Sequence, residues 1–340
     1  MADLFRRHLR MAEDYELRPV RPDDAERIRR ILQVAFEDEN RRMGLKNIRL
    51  PVMRRQLLDF YLDRNPEASV VATGKGGAVG FTLACRWGSV AWLGPVAVLP
   101  PVQGIGLGRR MVTAASEALL ADGVTTLGVE TMPRSFRNLQ FYSRLGLRFS
   151  GLTLDLSRLE KEGADLTPGP GAGGPEVVRL SEVSGRERKD ALRDLAGVSG
   201  RVAPGLDYTS EALKTARHKL GDTLILRWGS AVVGFAILHI APYAEEEIPG
   251  TVRVNTLLAV PPVGESDPVG VLEHLLDAIE REAYRQDCNA LTFRVPSWVH
   301  PARDALLARG FHITHSDVRM TWARTPERDA SDVIHLSKWE

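Results

Sequence analysis

Between Glu162 and Pro175 the chain carries no apolar period, and glycine and proline dominate the run Gly163-Ala164-Asp165-Leu166-Thr167-Pro168-Gly169-Pro170-Gly171-Ala172-Gly173-Gly174. Such a stretch lacks the side chains to join a core and reads as a linker. It constrains the fold more than any other feature, because it cuts 340 residues into two stretches that each suit one ordinary domain. The expected organisation is a first domain over residues 1–160, a linker over 161–175 and a second domain over 176–340. Lysine and arginine (45) nearly cancel aspartate and glutamate (44), so no global field points to nucleic acid or a membrane surface. The first residues, Met1 to Arg7, lack the apolar core of a signal peptide, and no apolar run is long enough to span a bilayer. Two cysteines, Cys85 and Cys288, lie far apart in sequence; they argue against a disulfide framework, suit a reducing cytoplasm, and are expected to be buried and structural.

The first stretch alternates strand and helix signals. A strand over 15–20 precedes a helix opened by Pro22, Asp23 and Asp24 and running to Phe36; a second helix covers 52–62. Strands over 69–73 and 78–87 flank a Lys75-Gly76-Gly77 turn, and Val90 to Val98 is a third strand interrupted by Gly94-Pro95, where a bulge or splayed edge is expected. Leu107, Met111, Ala115, Ala118 and Leu119 share one face of a helix over 107–121. Strand 125–130, helix 135–145 and strand 147–156 follow, which gives a mixed α/β sheet rather than a regular doubly wound one.

The chemistry-bearing segment is the turn between that third strand and its helix, Gln103-Gly104-Ile105-Gly106-Leu107-Gly108-Arg109. Glycines let the backbone approach an anion, exposed amides point at it, and the helix dipole favours its charge, so the segment is a candidate phosphate cradle. Its spacing fits neither the dinucleotide fingerprint nor a P-loop.

Gln103, Gly106 and Gly108, after a strand ending in Val98 and Pro100, resemble the pyrophosphate loop of GNAT (GCN5-related) acetyltransferases. A second signature, from Asn138 through Tyr142 to Gly146-Leu147, resembles a downstream segment of the same family, with Leu147 replacing phenylalanine. The resemblance implies two tandem domains of that fold with a splayed central sheet. It implies acetyl-CoA as co-substrate, its pyrophosphate held by the amides from Gln103 to Arg109 and its pantetheine arm by main-chain groups of Val96 and Val98 and by Asn138. Tyr142 falls where the family's general acid protonates the departing thiolate. Glu130 is the first candidate base, equally readable as an ion-pair partner. Glu37, Asp38 and Glu39 are candidate contacts to a cationic acceptor, equally readable as a solvated helix end. The implied activity is N-acetyl transfer to a primary amine of a small molecule or peptide by direct attack; a non-catalytic acyl-CoA-binding regulator and an O-acyltransferase are the alternatives. Monomer and homodimer both remain open.

The second stretch repeats the first. Ala259-Val260-Pro261-Pro262-Val263 echoes residues 97–102, and aligning Val98 with Val260 sets Gly106 opposite Pro268, while Arg309-Gly310-Phe311 echoes Leu145-Gly146-Leu147 at an offset of 164. The chemistry is not repeated: Pro268 lacks an amide, Glu265 and Asp267 would repel a pyrophosphate, and Leu306, Ala302 and Arg294 replace Tyr142, Asn138 and Glu130. The second domain is therefore expected to be a degenerate copy. Histidines of this domain, among them His218, His239, His274, His300, His312 and His315, show no metal-ligand spacing, so no metal is expected. The tail from Asp329 to Glu340 is expected to dock as a last strand.

Overall fold

In the computed structural model, the described residues are 14–45, 47–159, 175–262, 264–322 and 332–337. The expected linker, apart from Pro175, lies outside them. The described residues form thirteen strands and eight α-helices in the order β1 (Glu16–Pro19), α1 (Ala25–Arg42), α2 (Arg55–Arg64), β2 (Val70–Gly74), β3 (Gly77–Trp87), β4 (Val90–Val98), α3 (Leu107–Ala121), β5 (Thr126–Thr131), α4 (Phe136–Arg144) and β6 (Leu147–Leu159). The second half follows with β7 (Glu176–Arg179), α5 (Gly185–Val202), α6 (Thr209–Arg217), β8 (Gly221–Trp228), β9 (Ala231–His239), β10 (Thr251–Ala259), α7 (Val269–Arg285), β11 (Ala290–Pro296), α8 (His300–Ala308), β12 (His312–Trp322) and β13 (Ile334–Ser337). Helix α1 outruns its apolar stripe by more than a turn, because Asp38 pairs with Arg41 and Arg42 along its surface.

All thirteen strands belong to one sheet, with the path β1-β2-β3-β4-β5-β12-β6-β11-β10-β9-β8-β7 and β13 beside β10. One strand of each half has crossed to the other half: β12 pairs with β5, and β6 pairs with β11. Glu130 lies opposite Arg319 at one junction and Arg294 opposite Asp155 at the other, so both junctions have one register at the offset of 164. Between β6 and β12, Ser316 faces Leu154 just as Val318 faces Leu152, and the pair Thr153–Asp317 sits on the pseudo-two-fold axis. The periodicity of each strand is unchanged by this exchange, so a strand's partner was not readable from its own pattern.

Two apolar layers cover the faces of the first half. One packs α1 and α2 through Ile28, Ile31, Leu57 and Phe60 onto Phe81, Leu83 and Trp92. The other packs α3 and α4 through Met111, Ala115, Leu119 and Tyr142 onto Ala91, Leu127 and Val129. Cys85 and Cys288 are both buried, and among the described residues neither forms a disulfide. No helix of the described residues is long and apolar enough to cross a membrane.

Candidate active site

Strands β4 and β5 are parallel and pair only from Val90 to Trp92 with Thr126 to Gly128. Beyond that point they part, and the register of β4 against β3 slips between Leu93 and Val96, at the expected Gly94-Pro95 irregularity. The result is a wedge open at the carboxyl ends of both strands. Leu99 donates its amide to Val79 O of β3 at 2.8 Å. By the alternation of an antiparallel ladder, the peptide groups of Val96 and Val98 then point the other way, into the wedge. The Val98 carbonyl already accepts Gln103 Nε2 at 2.7 Å, which leaves the Val98 amide and both groups of Val96 for an extended ligand.

The phosphate-cradle geometry follows directly from the glycines. Gly104 and Gly106 hold φ of +81° and +94°, a left-handed conformation that L side chains rarely adopt. Gly106 is the N-cap of α3, and a Cβ at either position would meet nothing within 4 Å, so the loop faces open space. Among the described residues, the amides of Gly104, Ile105, Gly106, Leu107, Gly108 and Arg109 have no acceptor, and the first bond of the helix is Arg110 N to Gly106 O at 3.1 Å. Unpaired amides at a helix N-terminus fit an anion. Gln103 departs from expectation: its own amide is spent on Pro100 O, and its side chain closes the base of the loop. Ile105 and Leu107 send their side chains into the core, so only their amides face outward.

Helix α4 borders the same wedge. Its N-cap Ser135 accepts from the Asn138 amide and donates to Glu39 Oε1 of α1, while Asn138 Nδ2 reaches Thr131 Oγ1 at 3.3 Å at the end of β5. Tyr142, two turns on, is 7% exposed and packs edge-on to Phe141, 5.0 Å between centroids. Burial pushes its phenol well above the usual tyrosine range, so it stays protonated at any working pH. Sequence reasoning missed Ser135 and also Arg137, which donates to Gln103 Oε1 at 2.7 Å and lies 3.8 Å from Glu39. The serine three residues before Asn138 was the available signal.

Glu130 takes the ion-pair reading, and the three acceptor candidates Glu37, Asp38 and Glu39 separate. The Glu130 carboxylate, 2% exposed, accepts Arg294 Nη2 at 2.6 Å, Arg294 Nε at 2.9 Å, Arg319 Nη1 at 3.0 Å and Thr153 Oγ1 at 2.7 Å. Four donors fill the sites two carboxylate oxygens offer, which leaves none to take a proton from an amine. Glu37 accepts the Leu50 amide at 3.0 Å and ties down a loop, and Asp38 is spent on its own helix's arginines. Of the three, only Glu39 reaches the wedge-bordering helix.

The corresponding wedge of the second half is shut. Strands β10 and β11 pair only from Thr251 to Val254 with Ala290 to Phe293, as β4 and β5 do. Val260 N donates to Val233 O at 2.8 Å, the counterpart of Leu99 on Val79, so the sheet sets Ala259, not Val260, at the position of Val98. The edge of β10 that would face a ligand is taken by β13, with Leu257 opposite Leu336 and Ala259 opposite Ile334. The expected tail strand thus occupies this wedge. At the loop, Pro268 is the N-cap of α7 and the Asp267 carboxylate accepts the Val269 amide at 2.9 Å, so an anion of the chain's own sits at that helix end.

Residues 25–147 match the family model described as acetyltransferase (GNAT) family. The fold extends the likeness to both halves. A putative acetyltransferase from Pyrococcus horikoshii superposes with a TM-score of 0.64 at 16% identity, over 96% of this chain and 95% of that one. A GCN5-related N-acetyltransferase from Sphaerobacter thermophilus gives 0.57 at 17% identity, over 93% and 98%. A tandem GNAT protein from the clavulanic acid biosynthesis pathway gives 0.54 at 16% identity, over 92% and 100%. No curated protein matches the chain in sequence. The chain is therefore a tandem protein of two GNAT-fold halves, the first of which carries the GNAT sequence signature.

Among the described residues, no group of three or more His, Cys, Asp or Glu is placed to hold a metal ion.

Proposed function

We propose that the chain is an acetyl-CoA-dependent N-acetyltransferase with one active wedge, in the first domain (residues 1–160), and a second domain (176–340) that completes the sheet without binding CoA. The observation that carries this reading is the set of six amides, Gly104 to Arg109, that have no backbone acceptor among the described residues, beside a wedge into which the Val96 peptide groups point and whose border carries a buried, protonated Tyr142. The amides bind the CoA pyrophosphate, and the Val96 groups align the pantetheine arm as an added strand and polarise the thioester carbonyl. Asn138 orients the arm from the β5 side.

In the reaction, the neutral nitrogen of the acceptor attacks the thioester carbonyl, the C–N bond forms and the C–S bond breaks. The thiolate takes the phenol proton of Tyr142, and the phenolate is re-protonated by the proton the ammonium product sheds, through water. The apolar surroundings that raise the phenol disfavour the thiolate equally, so the transfer stays matched. With Glu130 withdrawn, Glu39 is the carboxylate that draws a cationic amine to the wedge. Calorimetric titration with CoA, followed by thiol release from acetyl-CoA over a panel of primary amines and alcohols, tests the reading. One CoA per chain and amine-dependent release are expected; CoA binding with no release by any acceptor would turn the chain into a binding protein, and no CoA binding would refute the site.

A further inference from the structure

At the seam between the halves, charges are inverted across the pseudo-two-fold axis. Position 130 in the first half carries glutamate and its counterpart 294 carries arginine; position 155 carries aspartate and its counterpart 319 carries arginine. Because β6 and β12 are exchanged, each acid meets a base of the other half. Arg319 Nη1 lies 3.0 Å from Glu130, and Arg294 Nη1 lies 3.0 Å from Asp155. Three of these four side chains are at most 6% exposed, and Asp155 is 22% exposed. Arg294 Nη2 additionally contacts Asp317 at 2.6 Å, on the axis.

A symmetric dimer of such folds would use the same seam with identical halves. In a pairing of two first halves, β6 of a second copy would take the place of β12. Asp155 would then stand opposite Glu130, twice over, with no cation in either strand register. In a pairing of two second halves, Arg319 would stand opposite Arg294, like charge against like charge. Buried like charges in direct register are strongly unfavourable, whereas the observed pairing satisfies every one.

We infer that these four charges are a pairing code: they select association of the first half with the second half of the same chain and forbid exchange between like halves of two chains. The inference rests on the sheet register alone and stands whether or not the first wedge transfers acyl groups.

The code can be rewritten with net charge changed by at most one. Exchanging one acid and one base, Asp155→Arg with Arg319→Asp, makes each half complementary to itself and repulsive toward the other. Sedimentation equilibrium of this full-length variant should show at least twice the wild-type mass, with helix content retained. A folded variant of wild-type mass would overturn the inference. A second chain adds Glu130→Arg and Arg294→Glu, with Asp317→Asn because that carboxylate would otherwise face the introduced acid. It restores complementarity between halves and should return to the wild-type mass. If the double variant fails to fold, the inverted chain decides: folding at wild-type mass upholds the code, and failure to fold or a doubled mass refutes it.

Discussion

Replacing Glu130 by glutamine separates two roles that a carboxylate at this position could play. The structure gives the replacement a structural consequence. Arg294 keeps Asp155 and Asp317 when Glu130 loses its charge, but Arg319, 0% exposed, loses its carboxylate partner Glu130; its other contacts include Ser337 Oγ at 3.5 Å and the faces of Trp92 and Trp298. Removing one partner of a buried pair costs about 3–5 kcal/mol, and with only one arginine left short the lower end, about 3 kcal/mol, applies. At roughly 2.1 cal/mol/K per residue, a cooperative sheet of 340 residues loses about 4 °C of Tm for that amount. Thermal unfolding followed by circular dichroism reads this shift. The double variant Glu130→Gln with Arg319→Met removes the stranded charge and should cost less than the sum of its parts. In the glutamine variant the ratio kcat/KM should stay within about fivefold of wild type at temperatures where it is folded, whereas loss of a general base costs about 10²–10⁴-fold. An unchanged Tm with a hundredfold fall in kcat would refute the reassignment and restore Glu130 as the base.

Gly106→Pro should abolish CoA binding in calorimetry, since it removes one cradle amide and imposes a negative φ where the chain holds +94°. Tyr142→Phe should lower kcat about 10²-fold or more while leaving CoA affinity within twofold, and the wild-type pH–rate profile should show no descending limb from the phenol below its ordinary pKa of 10.0, because burial raises it. His315 is raised above 6.5, chiefly by its hydrogen bond to Asp317, so its folded value exceeds the unfolded one and the stabilisation is present at low pH and lost as pH rises through the folded value. The ring is half exposed, which holds the effect below about 1 kcal/mol; His315→Gln should therefore lower urea stability slightly at about pH 5.5 and not at about pH 9.

The local elements of the first half were legible because each announces itself within its own window. Strand Val90–Val98 and helix Leu107–Ala121 fall where the apolar periods placed them, and the Gly94-Pro95 irregularity opens the wedge. The loop geometry of the candidate cradle was legible for the same reason: left-handed glycines and a helix start are written in consecutive residues. What escaped was everything set by residues far apart. Glu130 sits at the end of the right strand, yet whether its carboxylate faces solvent or two guanidinium groups depends on Arg294 and Arg319, more than 160 positions away. The one-residue shift that puts Ala259 rather than Val260 at the counterpart of Val98 escaped because the repeated Val-Pro-Pro text continues past the strand, while the ladder is set by its pairing to β9.

Separate features of the second half oppose a ligand, and they differ in consequence. Pro268 and Asp267 remove amides from a cradle, which a ligand could partly replace with other contacts. Strand β13 does more, because it occupies the ladder edge itself. Leu257 and Ala259 pair with Leu336 and Ile334, and three of the four β13 residues are buried. Any extended ligand would have to expel apolar side chains and break a formed ladder before gaining its own. His335 of that strand is held neutral, its pKa pushed down to about 3 by burial and by Arg319, and its ring bonds Tyr208 Oη at 2.7 Å. Arg319 therefore faces two tasks at once, completing the seam with Glu130 and bordering the plug at Ser337. The strand that closes the second wedge and the charge that joins the halves are braced against each other. This is why the second half reads as a fixed part of the first half's frame rather than as a site awaiting repair.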